Sequence, residues 1–527
     1  MEDLNVLEKE KIRKYTEIKE KGINPYPYSY DKTHSAKEVL DTFKLKPEEK
    51  NDTIVSVAGR IVAMRKMGKA SFIQIQDESA KIQLYLRVDD VGHEEYKFIK
   101  KLDLGDIIGA KGTLFATRIG ELSVDVRTFQ LLTKSIRALP EKFHGLKDKE
   151  LRYRERYTDL IVNPDVREVF KKRSAIIRSI RNFLDEKGIM EVETPVLQTI
   201  QGGAAAKPFE THINAWNMKM YLSISPELYL KRLIVGGFEN VFTICKNFRN
   251  EGVDATHNPE FTMIEIYQAY KDYTDMMKLI EECYEHVALK VNGTTKVKHM
   301  YKGEEVELDF KAPWPKMTMA QVIEKHLNIK VLDMSQEELL DFANSNNLDA
   351  SGSMSWGDLV LEIFELVEGK IIQPTHIYDM PKEGTPLCKR HRIDDRLNEQ
   401  CEPIGLGMEL GNMYSELNDP FIQEDEFKKQ VAKGEQGDDE AQPMDTDFLN
   451  AIKTGMPPTG GIGWGIDRMV ILMTGVDSIR DVIFFPTMKP EEKVDTRSKS
   501  QIDKEKKAKR KAAEAEKLRL EEEAKTE

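Results

Sequence analysis

No run of about 18 apolar residues occurs in this 527-residue chain, which excludes an ordinary transmembrane helix and argues for a partner other than a membrane. The opening MEDLNVLEKEK has acidic residues where a secretory or organellar leader is apolar or arginine-rich, so the cytoplasm is the expected location. The four cysteines, Cys245, Cys283, Cys388 and Cys401, form no CxxC pair and have no histidines at zinc-like spacing. Neither a disulfide frame nor a zinc site is therefore expected. A GxxxxGK[ST] phosphate loop is missing as well. The net charge of −12 argues at first against nucleic acid, because phosphate binding is driven by lysine and arginine. Local charge matters more: residues 51–135 carry 13 Lys/Arg against 11 Asp/Glu, and residues 504–511 hold six basic side chains in eight.

What is present divides into segments of different pattern. Residues 1–50 read as a charged arm, with a helix from Leu4 to about Gly22 and then the turn-rich NPYPYSY, whose prolines favour an extended path. Residues 51–135 change to short β-rich runs: TIVSVAGRIVAMR, ASFIQIQD, KIQLYLR, a helical EEYKFIKKL, then DIIGAKGTLFAT and ELSVDVRTFQLL. Five strands with a helix between the third and fourth is the order of an OB-fold barrel. Residues 136–160 are highly charged and read as a hinge. From Asp165 a helix is expected, with Ile176, Ile177, Ile180, Phe183 and Leu184 at helical spacing and Gly188 placed to end it, followed by a strand over IMEVETPVL. Residues 161–490 alternate strands and helices without a regular βαβ rhythm, which predicts an α+β domain on an antiparallel sheet. Residues 491–527 read as a charged tail forming a polar helix with no apolar face.

Three constellations carry chemistry. In GIGWGIDR the glycines 461, 463 and 465 fall on one face of a strand, stripping it so that a flat ligand can lie on the sheet, with Arg468 placed to cover that ligand. In VFTICKNFRNEGVDATHNPEFTMIEIYQAY two alternating runs flank a polar loop, so a hairpin is expected, with Phe261, Met263, Glu265 and Tyr267 sharing one face of its return strand. Arg249 and Glu251 sit at the loop mouth and His257 near its far end, where a cation can neutralise an α-phosphate and Phe261 can stack on a purine. In CEPIGLGMELGNMYSELNDP, Glu402 and Glu409 are seven residues apart and suited to share a magnesium ion with triphosphate oxygens, while Asn412, Tyr414 and Glu416 alternate and project together. Each glutamate taken alone reads more readily as an exposed partner of a lysine.

Together these segments resemble the three signature motifs of the class II aminoacyl-tRNA synthetases, in matching order and spacing: the helix and strand ending at Pro195, the FRNEG hairpin, and the GIGWGIDR strand and helix. The sub-branch joining an N-terminal OB-fold to the catalytic domain takes lysine, aspartate or asparagine. GGAAAKPF, SPELYLKRL, NMYSELNDP and GMPPTGGIGWGIDR look like its lysine member. The resemblance implies that Arg249 and Arg468 are catalytic, with Arg249 on the amino-acid carboxylate and the α-phosphate. It implies that Phe261 and Arg468 sandwich adenine and that Glu251, His257, Asn258, Glu402 and Gly465 serve ATP. Mg²⁺ would be held by Glu402 and Glu409. Lysine would meet Gly203 and Glu227 at its α-amino group, Asn412 at its carboxylate, and Tyr267 and Glu416 at its ε-ammonium, with Glu265 and Tyr414 alongside. On the barrel, Phe72, Gln83 and Glu121 would read the anticodon of tRNA(Lys). The resemblance further implies a homodimer built on the first motif's helix. A pocket for a cationic side chain needs buried carboxylates whereas one for aspartate needs Arg or Lys, so the glutamates favour lysine. A noncatalytic relative would have lost some of Arg249, Glu402, Glu409 and Arg468, and all four are present.

Overall fold

The computed structural model describes residues 5–140, 146–437 and 440–491. Contacts divide the chain into two units, one ending at Glu168 and one beginning at Val169. The tail expected over 491–527 lies, from 492 on, outside the described residues. Among the described residues no helix is long and apolar enough to cross a membrane.

The first unit is built on a closed five-stranded barrel: β1 (Lys50–Met67), β2 (Ala70–Gln76), β3 (Lys81–Arg87), β4 (Ile107–Ala116) and β5 (Leu122–Thr133), paired in the order β1-β2-β3-β5-β4. Only the β3–β5 pair is parallel, and the expected helix, His93–Phe98, lies between β3 and β4. This is the OB-fold topology the strand order predicts. Strict alternation drives it: in β2, Ser71, Ile73 and Ile75 point inward while Phe72, Gln74 and Gln76 face outward, half-buried.

The first fifty residues are more than an arm. Helix α1 (Val6–Glu20) opens on an Asn5–Glu8 capping box and α2 (Ala36–Thr42) on a Ser35–Glu38 one. Their Ile18, Ala36 and Val39 are buried within the barrel's own hydrophobic core. Lys11 Nζ also donates to the Leu104 and Arg137 carbonyls at 3.1 and 3.3 Å. Too few apolar residues mark this segment for helical periodicity to reveal a buried face, so the sequence reads it as a charged arm. The segment expected as a hinge holds helices Lys149–Arg154 and Arg156–Val162, where Arg156 and Asp159 form a fully buried ion pair at 2.6 Å.

In the second unit a long helix, α3 (Pro164–Glu186, beginning at the end of the first unit), leads to the two-residue strand β6 (Met190–Glu191). The strand expected over IMEVETPVL is thus mostly open chain. It pairs with its neighbour at only two positions, and Pro195 supplies no N–H to extend the ladder. Gly188, at φ +73°, makes the left-handed turn between them. Helix α4 (Glu227–Val235) precedes the hairpin of β7 (Asn240–Phe248) and β8 (Glu260–Ala269), and α5 (Tyr273–Asn292) follows it. The remaining strands of the large sheet are β9 (Lys316–Thr318), β10 (Thr375–Pro381), β11 (Leu397–Gly405), β12 (Met408–Glu409), β13 (Asn412–Ser415) and β14 (Thr459–Gly465), the last feeding α6 (Ile466–Thr474). One nine-stranded sheet runs β9-β10-β11-β13-β14-β8-β7-β6, with β12 paired to β11. All its pairs are antiparallel except β9–β10 and β6–β7.

The two faces of this sheet do different work. Ile264, Ile266, Met413, Ile462 and Trp464 turn toward α3, α5 and α6, where they pack with Ile176, Ile180, Ile280 and Val470 in the principal core. The intervening residues of β8, β13 and β14 turn the other way and line a cavity. Helices between β9 and β10 form a separate hydrophobic cluster around Val322, Leu359 and Ile363.

Candidate active site

The cavity encloses about 430 Å³ and its floor is three adjacent strands. Register aligns Tyr267 of β8 with Gly461 of β14 and Tyr414 of β13, and one step along aligns Glu265 with Gly463 and Asn412. Each row therefore has a glycine at its centre and a polar or aromatic side chain on either side. Space requires the glycine at 461 and leaves little at 463. A Cβ on Gly461 would lie 1.9 Å from Glu416 Oε1 and 2.5 Å from Tyr267 Cε1, and one on Gly463 would lie 3.2 Å from Glu265 Cγ.

One end of this trough is crowded with carboxylates. Glu265 accepts hydrogen bonds from Ser225 Oγ at 2.7 Å and from the Tyr267 hydroxyl at 3.0 Å. Glu227 and Glu416 are both buried, and between them stands the buried Lys231, its Nζ 2.6 Å from Glu227 Oε1 and 2.5 Å from Glu416 Oε2. Burial pushes Glu265 up to about 8, reinforced by the charge of Glu227. Burial likewise raises Glu416 to about 8, against the opposing pull of Lys231. Gly203, at φ +87°, closes this end, and its N–H donates to Gln442 Oε1 at 3.3 Å.

The other end is cationic and aromatic. Arg249, following β7, places its guanidinium 5.2 Å from the centre of the Phe261 ring, and its Nε is buried without a hydrogen-bond partner. Arg468, in the first turn of α6, reaches Glu409 Oε2 at 3.0 Å and the Glu409 carbonyl at 3.1 Å. Glu251 accepts from the Lys207 N–H at 3.3 Å, and the exposed His257 lies 2.9 Å from Asp254. Asn258 is committed to the loop: its amide donates to the Glu260 carbonyl at 2.5 Å and accepts from the Thr487 N–H at 3.3 Å. Asp467 clamps this end by accepting from Arg173 at 2.5 Å and from the Thr262 N–H at 2.7 Å.

Every residue expected at the ATP and lysine sites lines this cavity except Glu402. Glu402 lies beside Asn412, accepting from its amide at 2.8 Å and from Gln400 at 3.1 Å. Its carboxyl is pushed up to about 8, first by removal from water and then by the charges of Glu409 and Glu368. Among the described residues no group of three or more His, Cys, Asp or Glu is arranged to hold a metal unaided. Such a carboxylate pair, of which Glu409 also meets Arg468, fits Mg²⁺, which takes one or two carboxylates and completes its shell with phosphates and water.

Ser225, Lys231, Gln442 and Gly461 also shape the site. The only local signal for Lys231 is its position one helical turn after Glu227 in SPELYLKRL.

Residues 148–489 match the family model described as tRNA synthetases class II (D, K and N), and residues 55–132 match the OB-fold nucleic acid binding domain. This chain belongs to the class II tRNA synthetases. Relatives within the family include the lysine–tRNA ligase of Pelotomaculum thermopropionicum, 52% identical over 93% of this chain and 96% of its own. Those of Clostridium novyi (50% identical, 93% and 95%) and Carboxydothermus hydrogenoformans (49%, 93% and 99%) bear the same name. The class II synthetase domain and the OB-fold domain together account for the two sheets described above.

On the barrel, Phe72, Gln83 and Glu121 line one groove of about 370 Å³ with Arg65, Gln74 and Arg118. Phe72 lies on the outer face, stacked on Tyr85 with ring centres 4.7 Å apart, and Gln83 donates to Ser123 Oγ at 2.9 Å.

Proposed function

We propose that this chain is a lysine–tRNA ligase that activates lysine with ATP, releases pyrophosphate, and transfers the lysyl group to the 3′ end of tRNA(Lys). The observation that carries this reading is the carboxylate-lined end of the glycine trough, with Glu227, Glu265 and Glu416 on one cavity and Arg249 at its other end. Three glutamates suit a substrate with two ammonium groups and would repel aspartate. ATP–pyrophosphate exchange with lysine, aspartate and asparagine side by side tests it. Exchange with lysine alone is expected, and exchange driven by another acid would overturn the substrate.

In the proposed complex adenine lies over the Gly463–Gly465 stretch between Phe261 and Arg468, with Glu251, His257 and Asn258 near the phosphates. Glu227 and Gly203 take the α-ammonium and Asn412 the carboxylate. Glu416 and Tyr267 take the ε-ammonium, with Glu265 and Tyr414 completing the wall. Held in this way, the lysine carboxylate attacks the α-phosphorus in line and pyrophosphate departs, forming lysyl-adenylate. A terminal ribose hydroxyl of tRNA then attacks the activated carbonyl and AMP leaves. No side-chain nucleophile is required, so positioning and charge neutralisation supply the rate. Arg249 balances charge gathering on the α-phosphoryl oxygens, and Arg468 holds the nucleotide. Glu409 and Glu402 would hold Mg²⁺, which when bound supplies neutralisation of the triphosphate.

Lysine binding should be coupled to pH. Because Glu265 and Glu416 are raised to about 8, both carry protons over much of the range below that value. The ε-ammonium requires the ionised form, so protons leave as lysine enters and affinity rises with pH. The lysine KM is therefore expected to fall between about pH 6.5 and 8.5. Calorimetry in buffers of different ionisation heat should show net proton release, and a flat KM with no release would contradict the assignment.

Residues 51–135 would read the anticodon through the barrel groove, and residues 161–490 would carry the catalytic chemistry. Phe72→Ala is expected to raise the tRNA KM for aminoacylation by about five- to 100-fold, in keeping with the ~1–3 kcal/mol of a base–aromatic stack. Pyrophosphate exchange should be unaffected, and an equal loss in both assays would make Phe72 a folding residue instead. A cytoplasmic homodimer completes the proposal. Its support is the apolar surface left exposed by Met190, Val196 and Leu197 after the first motif's helix.

A further inference from the structure

Lys231 is fully buried on α4, and the chemistry above makes no use of it. Its ammonium lies 2.6 Å from one oxygen of Glu227 and 2.5 Å from one oxygen of Glu416. Neither buried oxygen of Glu416 has a hydrogen-bond partner among the described residues; Oε2 is held by the ion pair with Lys231, which leaves Oε1. Oε1 borders the glycine trough, where a Cβ on Gly461 would come within 1.9 Å of it. Lys231 thus grips one oxygen of the carboxylate while the other is presented to the cavity. The groups that bear on Lys231 are Glu227 on its own helix, Glu416 at the end of β13, and the buried thiol of Cys388, with Glu265 and Tyr267 beyond them.

We propose that Lys231 is a positioning residue that sets the charge of the amino-acid pocket, cancelling one of three carboxylates so that two remain to match the two ammonium groups of lysine. This rests on the lysine-site reading above. Glu227, Glu265 and Glu416 without an internal cation would be a cluster of like charges, and such clusters relieve themselves by holding a proton between neighbours. A protonated Glu416 is a poor acceptor for an ammonium. A monocationic amino acid would leave one carboxylate of the set unpaired in a buried site, and burying an unpaired charge is costly. The arrangement therefore selects substrates by counting charges as well as by shape.

The test is ATP–pyrophosphate exchange by the full chain, with lysine and ATP requirements measured separately across about pH 6.5–8.5 for wild type, K231M and K231R. K231M is expected to raise the lysine KM at least tenfold with the ATP KM within about twofold, and to steepen the dependence of the lysine KM on pH. K231R should recover most of the loss. A folded K231M whose lysine KM stays within about twofold and whose pH profile is unchanged overturns the proposal, as does a parallel rise in both requirements. If K231M does not fold, K231M/E416Q removes the stranded carboxylate with the cation and is compared with E416Q alone. A lysine KM within about threefold of E416Q supports action through Glu416, and a further tenfold loss overturns it. Should E416Q itself leave the lysine requirement untouched, the pocket assignment fails rather than the role of Lys231.

Discussion

Replacing Arg249 by alanine is expected to slow lysine-dependent ATP–pyrophosphate exchange by about 10²–10³-fold, equivalent to ~3–4 kcal/mol, while the protein stays folded. The argument rests on where the guanidinium stands. It lies over the Phe261 ring at 5.2 Å, its Nε has no hydrogen-bond partner, and it lines the cavity at the end away from the carboxylates. A donor held in a buried site with bonding capacity unused is already oriented for charge that develops on the α-phosphoryl oxygens. It needs little reorganisation at the moment of reaction. The loss should fall on kcat more than on either KM, because that charge is greatest in the transition state. Exchange within about tenfold of wild type would remove Arg249 from the reacting centre.

Gly461→Ala should raise the lysine KM by about 100-fold with a much smaller effect on ATP. Gly461 does not have a positive φ, so the objection to alanine is purely spatial. The new methyl would sit 1.9 Å from Glu416 Oε1 and 2.5 Å from Tyr267 Cε1, displacing both groups proposed to meet the ε-ammonium. Gly463→Ala is the control. Its nearest neighbours are Glu265 Cγ at 3.2 Å and Met263 Cε at 3.3 Å, side-chain atoms able to give by a few tenths of an ångström. Steady-state exchange kinetics on both variants checks the difference, and a Gly461→Ala enzyme with lysine KM within about threefold of wild type would place the ε-ammonium elsewhere.

The sequence revealed this site where its pattern is local. Alternation of two along β8 and β14 put Phe261, Met263, Glu265 and Tyr267 on one face and the three glycines on another, and the sheet register joins those faces into a single floor. The barrel was legible for the same reason, since its inward and outward residues alternate strand by strand. Features created by tertiary contact were not legible. Lys231 reads as an ordinary i+4 partner of Glu227, and nothing local reveals that Glu416, from a distant strand, closes on it. Glu402 is expected from the sequence to serve ATP and hold Mg²⁺, but a strand's alternation fixes only which side of the sheet it takes. The Asn412 amide that holds it comes from the neighbouring strand. The packing of the first fifty residues is not legible because α1 buries one apolar side chain and α2 two, too few to stand out against their charge.

Two rows of the glycine-centred floor follow one another along the same strands, one through Gly463 and the next through Gly461. Their spacing is two residues of strand, about 6.7 Å, a dimension fixed by backbone geometry that no side-chain rearrangement alters. Four methylenes and an ammonium cover nearly that distance. With lysine placed as proposed, the sheet's own pitch would serve as a gauge of substrate length. An amino acid one carbon shorter, fixed by its head at the first row, would leave its terminal amine short of the second, whatever its charge.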